Sequence, residues 1–156
     1  MNKIITIQHL DAITTHLKAN KQQIVFTNGC FDLLHEGHLH LLQQAKQFGD
    51  ILIVAVNTDA SIKRLKGNER PIETLAIRLQ HLANLAYVDF VIAFDEDTPL
   101  QLIEQIQPNI LVKGSDYKNK TIVGSDIVLQ NKGKVILVDI LEGYSTTNKI
   151  KQNIKK

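Results

Sequence analysis

A chain of 156 residues suits one domain and can bury about two thirds of the surface it exposes unfolded. Its net charge of +2 on 22% charged residues carries no polyanion-seeking surface, which excludes nucleic acid as the main partner and leaves only the end, KIKQNIKK, locally basic. The single cysteine, Cys30, cannot form an internal disulfide, the first twenty residues lack a signal-peptide core, and no apolar run approaches the ~20 residues of a membrane span, so the cytoplasm is the expected location.

In chain order, residues 7 to 18 read as a terminal helix within an extension spanning 1 to 20. The run IVF at 24 to 26 is the first expected strand. After His38, Leu41, Leu42, Ala45 and Phe48 share one helical face, with Gly49 as the stop. A second strand, ILIVAV at 51 to 56, precedes a helix that begins near Glu73 and buries Leu75, Leu79, Leu82 and Ala86. The strand FVIAF at 90 to 94 leads to Thr98-Pro99, a cap followed by proline, and to a helix carrying Leu102, Ile103 and Ile106. The strand ILV at 110 to 112, a weaker helix at 123 to 131, the strand VILVDI at 135 to 140 and a terminal helix and tail from 145 to 156 complete the chain. No repeat, low-complexity stretch or linker divides it, and a single domain over 1 to 156 is expected.

Five short runs of branched apolar residues alternating with amphipathic helices predict a three-layer α/β domain built on an open five-stranded parallel sheet. Ligands bind such sheets at the carboxyl ends of the strands, where strand order reverses. The loop FTNGCFDLLHEGH at 26 to 38, which joins the first of these strands to the first long helix, is the place to look. A helix N-terminus gathers unpaired N–H groups and the positive end of the peptide dipole, so it favours an anion such as phosphate. Gly37 clears space for a close ligand, and His35 and His38 reach the same region. Beside a polyphosphate both imidazoles can be cationic and donate to oxygens that gain charge during attack at phosphorus. Phosphoryl and nucleotidyl transfer needs alignment and charge stabilisation more than a protein nucleophile. The competing accounts are a loop histidine beside a helix cap, and a metal site made of His35, His38 and His40. His40 lies about 200° around the helix from His38, and no cysteine or carboxylate cluster accompanies it. A dehydrogenase is excluded, because TNGCFD is not G-x-G-x-x-G.

The stretch GCFDLLHEGHLHLL at 29 to 42, with GYSTTNKI at 143 to 150, resembles the HxGH-type nucleotidyltransferases. VAVNTDASIKRLKG, ERP, FDEDTP and LVKGSDY look like the adenylyltransferase domain of ADP-heptose synthesis, a resemblance that runs from Gln23 to Lys151. It implies a Rossmann-like nucleotidyltransferase fold and transfer of AMP from ATP to D-glycero-D-manno-heptose 1-phosphate, with pyrophosphate released. A cytidylyltransferase acting on glycerol 3-phosphate or a similar alcohol phosphate is the alternative. It further implies a stand-alone enzyme served by a separate heptose kinase, with Mg2+ carried by the ATP phosphates. A homodimer is the usual expectation for soluble oligomers.

By the same resemblance His35 and His38 contact the α-phosphate, while Thr27, Asn28, Gly29, Cys30, Phe31 and Gly37 support the nucleotide. Ser145, Thr146 and Thr147 suit the β- and γ-phosphates. A lysine after the second strand, Lys63 or Lys66, and Arg78 on the following helix hold phosphates, with Arg70 a weaker candidate. Lys113, Gly114, Asp116 and Tyr117 line the nucleotide or sugar pocket, and Asp32 and Asp59 act as ribose or supporting contacts. Lys46 compensates the dipole of its own helix. The alternative roles are a small packing residue for Cys30, a solvated helix residue for Arg78 and turn formers for the two aspartates.

Overall fold

The computed structural model describes residues 2–140. Six parallel strands, β1 (Ile4–Ile5), β2 (Ile24–Gly29), β3 (Ile51–Asn57), β4 (Phe90–Phe94), β5 (Ile110–Gly114) and β6 (Lys134–Val138), form one sheet in the order β1-β4-β3-β2-β5-β6. All five expected strands are present. The sixth, β1, corrects the count of five: two residues pairing with Val91 and Ile92 at the sheet edge are too short to leave a periodic signal.

The strands are apolar because helices cover both faces. Successive strand residues point to opposite sides, so Ile24 and Phe26 join one core while Val25 joins the other. The first core takes Leu10 and Leu17 of α1 (Ile7–Ala19), Leu102, Ile103 and Ile106 of α5 (Leu100–Ile106) and Val128 of α6 (Ser125–Gln130). The second takes Leu42 and Ala45 of α2 (Glu36–Lys46) and Leu82 of α4 (Leu75–Ala83). A further helix, α3 (Asp59–Lys66), lies where a loop carrying Lys63 and Lys66 was expected. Its only deeply buried members are Ser61 and Ile62, and so polar a segment shows little apolar period. Three helix edges also shift. Phe48 lies beyond the end of α2 and is 38% exposed, Ala86 follows α4 instead of belonging to it, and Pro99 caps α5 one position before its first turn.

This connectivity creates the cleft. From central β2 the chain steps outward through β3 to β4, then returns to the other side of β2 to make β5. The helix after β2 packs on one face of the sheet and the helix after β5 on the other. Adjacent strands therefore send their connections apart, opening a crevice at their carboxyl ends. Between them, the buried Thr27 hydroxyl donates to the Val112 carbonyl at 2.8 Å.

Candidate active site

A cleft of about 590 Å³ occupies that crevice. Of the residues singled out from sequence it gathers Thr27, Asn28, Gly29, Cys30, Phe31, His35, Gly37 and His38 from β2 and the start of α2, Lys66 from α3, and Lys113, Gly114, Asp116 and Tyr117 after β5.

His35 is the N-cap of α2, with extended φ and ψ of −133° and 176°. Its Nδ1 accepts from the Gly37 N–H at 3.1 Å, and His38 Nδ1 accepts in return from the His35 N–H at 3.3 Å. This is a capping box in which histidines replace the usual hydroxyl and carboxylate. The rings stack with centroids 3.8 Å apart and 21° between planes, and Phe31 meets His38 edge-on at 5.5 Å.

A backbone N–H only donates, so each Nδ1 is the accepting nitrogen and a neutral ring carries its proton on Nε2. Charging either ring would put a proton on the nitrogen that accepts the cap bond. With both cap bonds made, a neutral pair would present its two Nε2–H groups as donors at the positive end of a helix.

Lys113 ends β5, and its ammonium is nearly enclosed. Nζ donates to the Asn28 carbonyl at 3.2 Å and lies 4.7 Å from the Tyr117 ring centroid, within cation–π range. Burial pulls its pKa down to about 8, against the opposing pull of Asp116 and Cys30. Burial, with Asp116 and Cys30, pushes the Tyr117 phenol up. Two glycines shape the wall. A Cβ on Gly114 would lie 2.6 Å from Asp116 Oδ1, and one on Gly29 would press the Phe31 ring at 3.1 Å.

Lys66 reaches the cleft and Lys63 does not line it. Arg78 is fully buried, so it is neither solvated nor exposed to a phosphate in the cleft. Its Nη1 donates to the Cys30 and Asn57 carbonyls at 2.8 and 2.7 Å, and its Nη2 to Asp59 at 2.7 Å. Asp59 is thereby a partner of Arg78. Asp32, also fully buried, accepts from the Ile72 and Glu73 N–H groups at 2.8 and 2.9 Å, and Arg70 Nε lies 3.4 Å from it. Lys46, assigned from sequence to the helix dipole, pairs with Asp89 at 2.7 Å and donates to the Asp50 carbonyl. Ser145, Thr146 and Thr147 lie outside the described residues.

The sequence reading missed Asn57, Asp97, Thr98 and Asp139 on the cleft wall. Their common signal is position, since each lies at or just past the carboxyl end of a strand. Among the described residues no group of three or more His, Cys, Asp or Glu could hold a metal ion, and no helix is long and apolar enough to cross a membrane.

Comparison with known proteins agrees with this geometry. The chain is 53% identical over 149 residues to the bifunctional protein HldE of Geotalea uraniireducens, covering 94% of this chain and 30% of that one. It is 53% identical over 138 residues to its namesake in Helicobacter pylori, covering 88% and 29%. The chain thus spans about a third of the length of these curated relatives. Among solved structures, a lipopolysaccharide core biosynthesis protein from Thermoplasma volcanium matches 80% of this chain and 99% of its own, at 30% identity and a TM-score of 0.62. Pantoate–β-alanine ligase from Francisella tularensis, at 18% identity and a TM-score of 0.66, shares the fold. The family described as cytidylyltransferase-like matches residues 26–153, from β2 through the cleft and past it, and the chain belongs to that family.

Proposed function

We propose that this chain is an adenylyltransferase that moves AMP from ATP to D-glycero-D-manno-heptose 1-phosphate, giving ADP-heptose for lipopolysaccharide core precursors. A phosphate oxygen of the sugar attacks the α-phosphorus, the bond from that phosphorus to the bridging oxygen breaks, and pyrophosphate leaves. The observation that carries the reading is the stacked His35–His38 pair at the start of α2, facing a cleft that also holds Lys66 and Lys113. Charge on the α-phosphate oxygens grows as attack proceeds, and preorganised Nε2–H donors at a helix N-terminus stabilise it there. Lys66 and Lys113 would hold the remaining phosphate charge, and the loop after β5 would receive the nucleoside or the sugar. Ser145, Thr146 and Thr147 keep the β- and γ-phosphate role that the family resemblance implies.

The choice of adenine and heptose is supported by about 50% identity to HldE proteins and by the likeness to a lipopolysaccharide core biosynthesis protein. Mg2+ enters with the triphosphate. It binds through substrate phosphates, its own waters and one or two carboxylates, and Asp97, Asp116 and Asp139 are wall donors of that kind. When bound it would offset charge on the departing pyrophosphate. The acceptor, a sugar phosphate, requires a kinase upstream, and we place the reaction in the cytoplasm, where ATP is available.

The test is pyrophosphate release with ATP or CTP, each paired with heptose 1-phosphate or glycerol 3-phosphate. Release with ATP and the heptose phosphate, at least ~100-fold faster than with the other pairs, is expected, because a site built to hydrogen-bond one substrate strongly rejects another. Release only with CTP and glycerol 3-phosphate would overturn the assignment.

A further inference from the structure

We infer that Asp32, Glu73 and Arg78 form a clasp beneath the histidine loop, and that Asp32 and Arg78 are positioning residues which fix where His35 and His38 point. The role rests on the adenylyltransferase reading, but the geometry stands without it. Phe31 and Leu33 have φ of 51° and 53°, in the left-handed region that side-chain-bearing residues seldom occupy. Two such residues flanking Asp32 persist only where the surroundings over-determine them.

Here the surroundings come from residues about 40 positions away. The Asp32 carboxylate takes the Ile72 and Glu73 N–H groups, and Glu73 Oε1 takes the Leu33 N–H at 2.8 Å. The two segments thus grip one another reciprocally. Arg78 closes the clasp from below. It donates to the Glu73 carbonyl at 3.1 Å, to the Cys30 carbonyl immediately before Phe31, to the Asn57 carbonyl at the end of β3 and to Asp59 just beyond it. A buried guanidinium this fully committed to carbonyls and one carboxylate is a strut. None of the three side chains lines the cleft, so any effect they have on chemistry travels through the loop.

The experiment compares Asp32→Asn in the wild-type chain and in a background carrying both His35→Ala and His38→Ala, by turnover and ATP affinity in each and by the 15N signals of the histidine rings in the former. Asp32→Asn is expected to lower kcat ~10-fold or more with ATP affinity changed less than ~3-fold, and to move the His35 and His38 ring signals. In the background lacking both rings it should cost less than ~2-fold, because a residue acting only through His35 and His38 has nothing left to position. Equal losses in both backgrounds, or ring signals that do not move, would overturn the clasp. Should Asp32→Asn fail to fold, Arg78→Lys, which keeps the charge but loses the fork, carries the same expectations. A wild-type chain inert toward every substrate pair would sink the adenylyltransferase reading, while the ring signals would still test the clasp.

Discussion

Replacing His38 with alanine is expected to lower turnover by ~100-fold or more while ATP binds nearly as before. A group that donates chiefly to charge developing in the transition state contributes to kcat much more than to ground-state affinity. In the capped state His38 offers its Nε2–H, because Nδ1 is occupied by the His35 N–H at 3.3 Å. Alanine therefore removes a catalytic donor and one half of the cap together. The cap half is worth about 1 kcal/mol of stability, which a thermal melt will register separately. His38→Asn separates the two effects, since its carbonyl can still accept from the His35 N–H. If His38→Asn or His38→Ala turned over at the wild-type rate, His38 would have no part in the chemistry.

The second large effect concerns Lys113. Burial lowers its pKa from the ordinary 10.5 to about 8, so the free protein begins to lose this cation just above neutral pH. If Lys113 must be charged to hold phosphate, kcat/KM for ATP falls as pH rises through about 8, because that ratio reports the free enzyme. Bound polyphosphate favours the ammonium, so the fall in kcat should come at higher pH. Lys113→Met removes a charge-assisted hydrogen bond and should cut kcat/KM ~10- to 100-fold below pH 8. It should also abolish the alkaline fall. An unchanged alkaline limb in Lys113→Met would assign it to another group.

The shift also fixes the sign of a stability effect. Between pH 8 and 10.5 the unfolded chain holds more protons at this lysine than the folded one, so stability rises with pH across that window. Below pH 8 the fold carries the full cost of enclosing the ammonium. Melting of Lys113→Met should lose that rise.

How far the sequence could be read follows from what each signal reports. Runs such as ILIVAV announce a strand buried on both faces, and Leu42 and Ala45 announce the inner side of α2, because burial writes a period into the chain. The histidine pair was legible for a related reason. A glycine and two titratable rings at a strand-to-helix junction place chemistry where parallel sheets open. Direction is what a long side chain does not reveal. Arg78 has the spacing of an exposed helix residue, yet it turns inward to the Cys30 and Asn57 carbonyls. The cap bonds were hidden too, since they depend on which backbone N–H groups meet the two Nδ1 atoms. Strand β1 and helix α3 escaped because two residues and a largely polar turn carry too little period.

The central claim is that the first turn of α2 cradles the phosphate under attack, beneath two stacked histidine rings. A crystal structure of the full chain with a non-hydrolysable ATP analogue tests it most directly. The account predicts the α-phosphate at the N-terminus of α2, with its oxygens about 3 Å from Nε2 of His35 and His38. An analogue bound in full occupancy elsewhere, with that turn left to solvent, would contradict it.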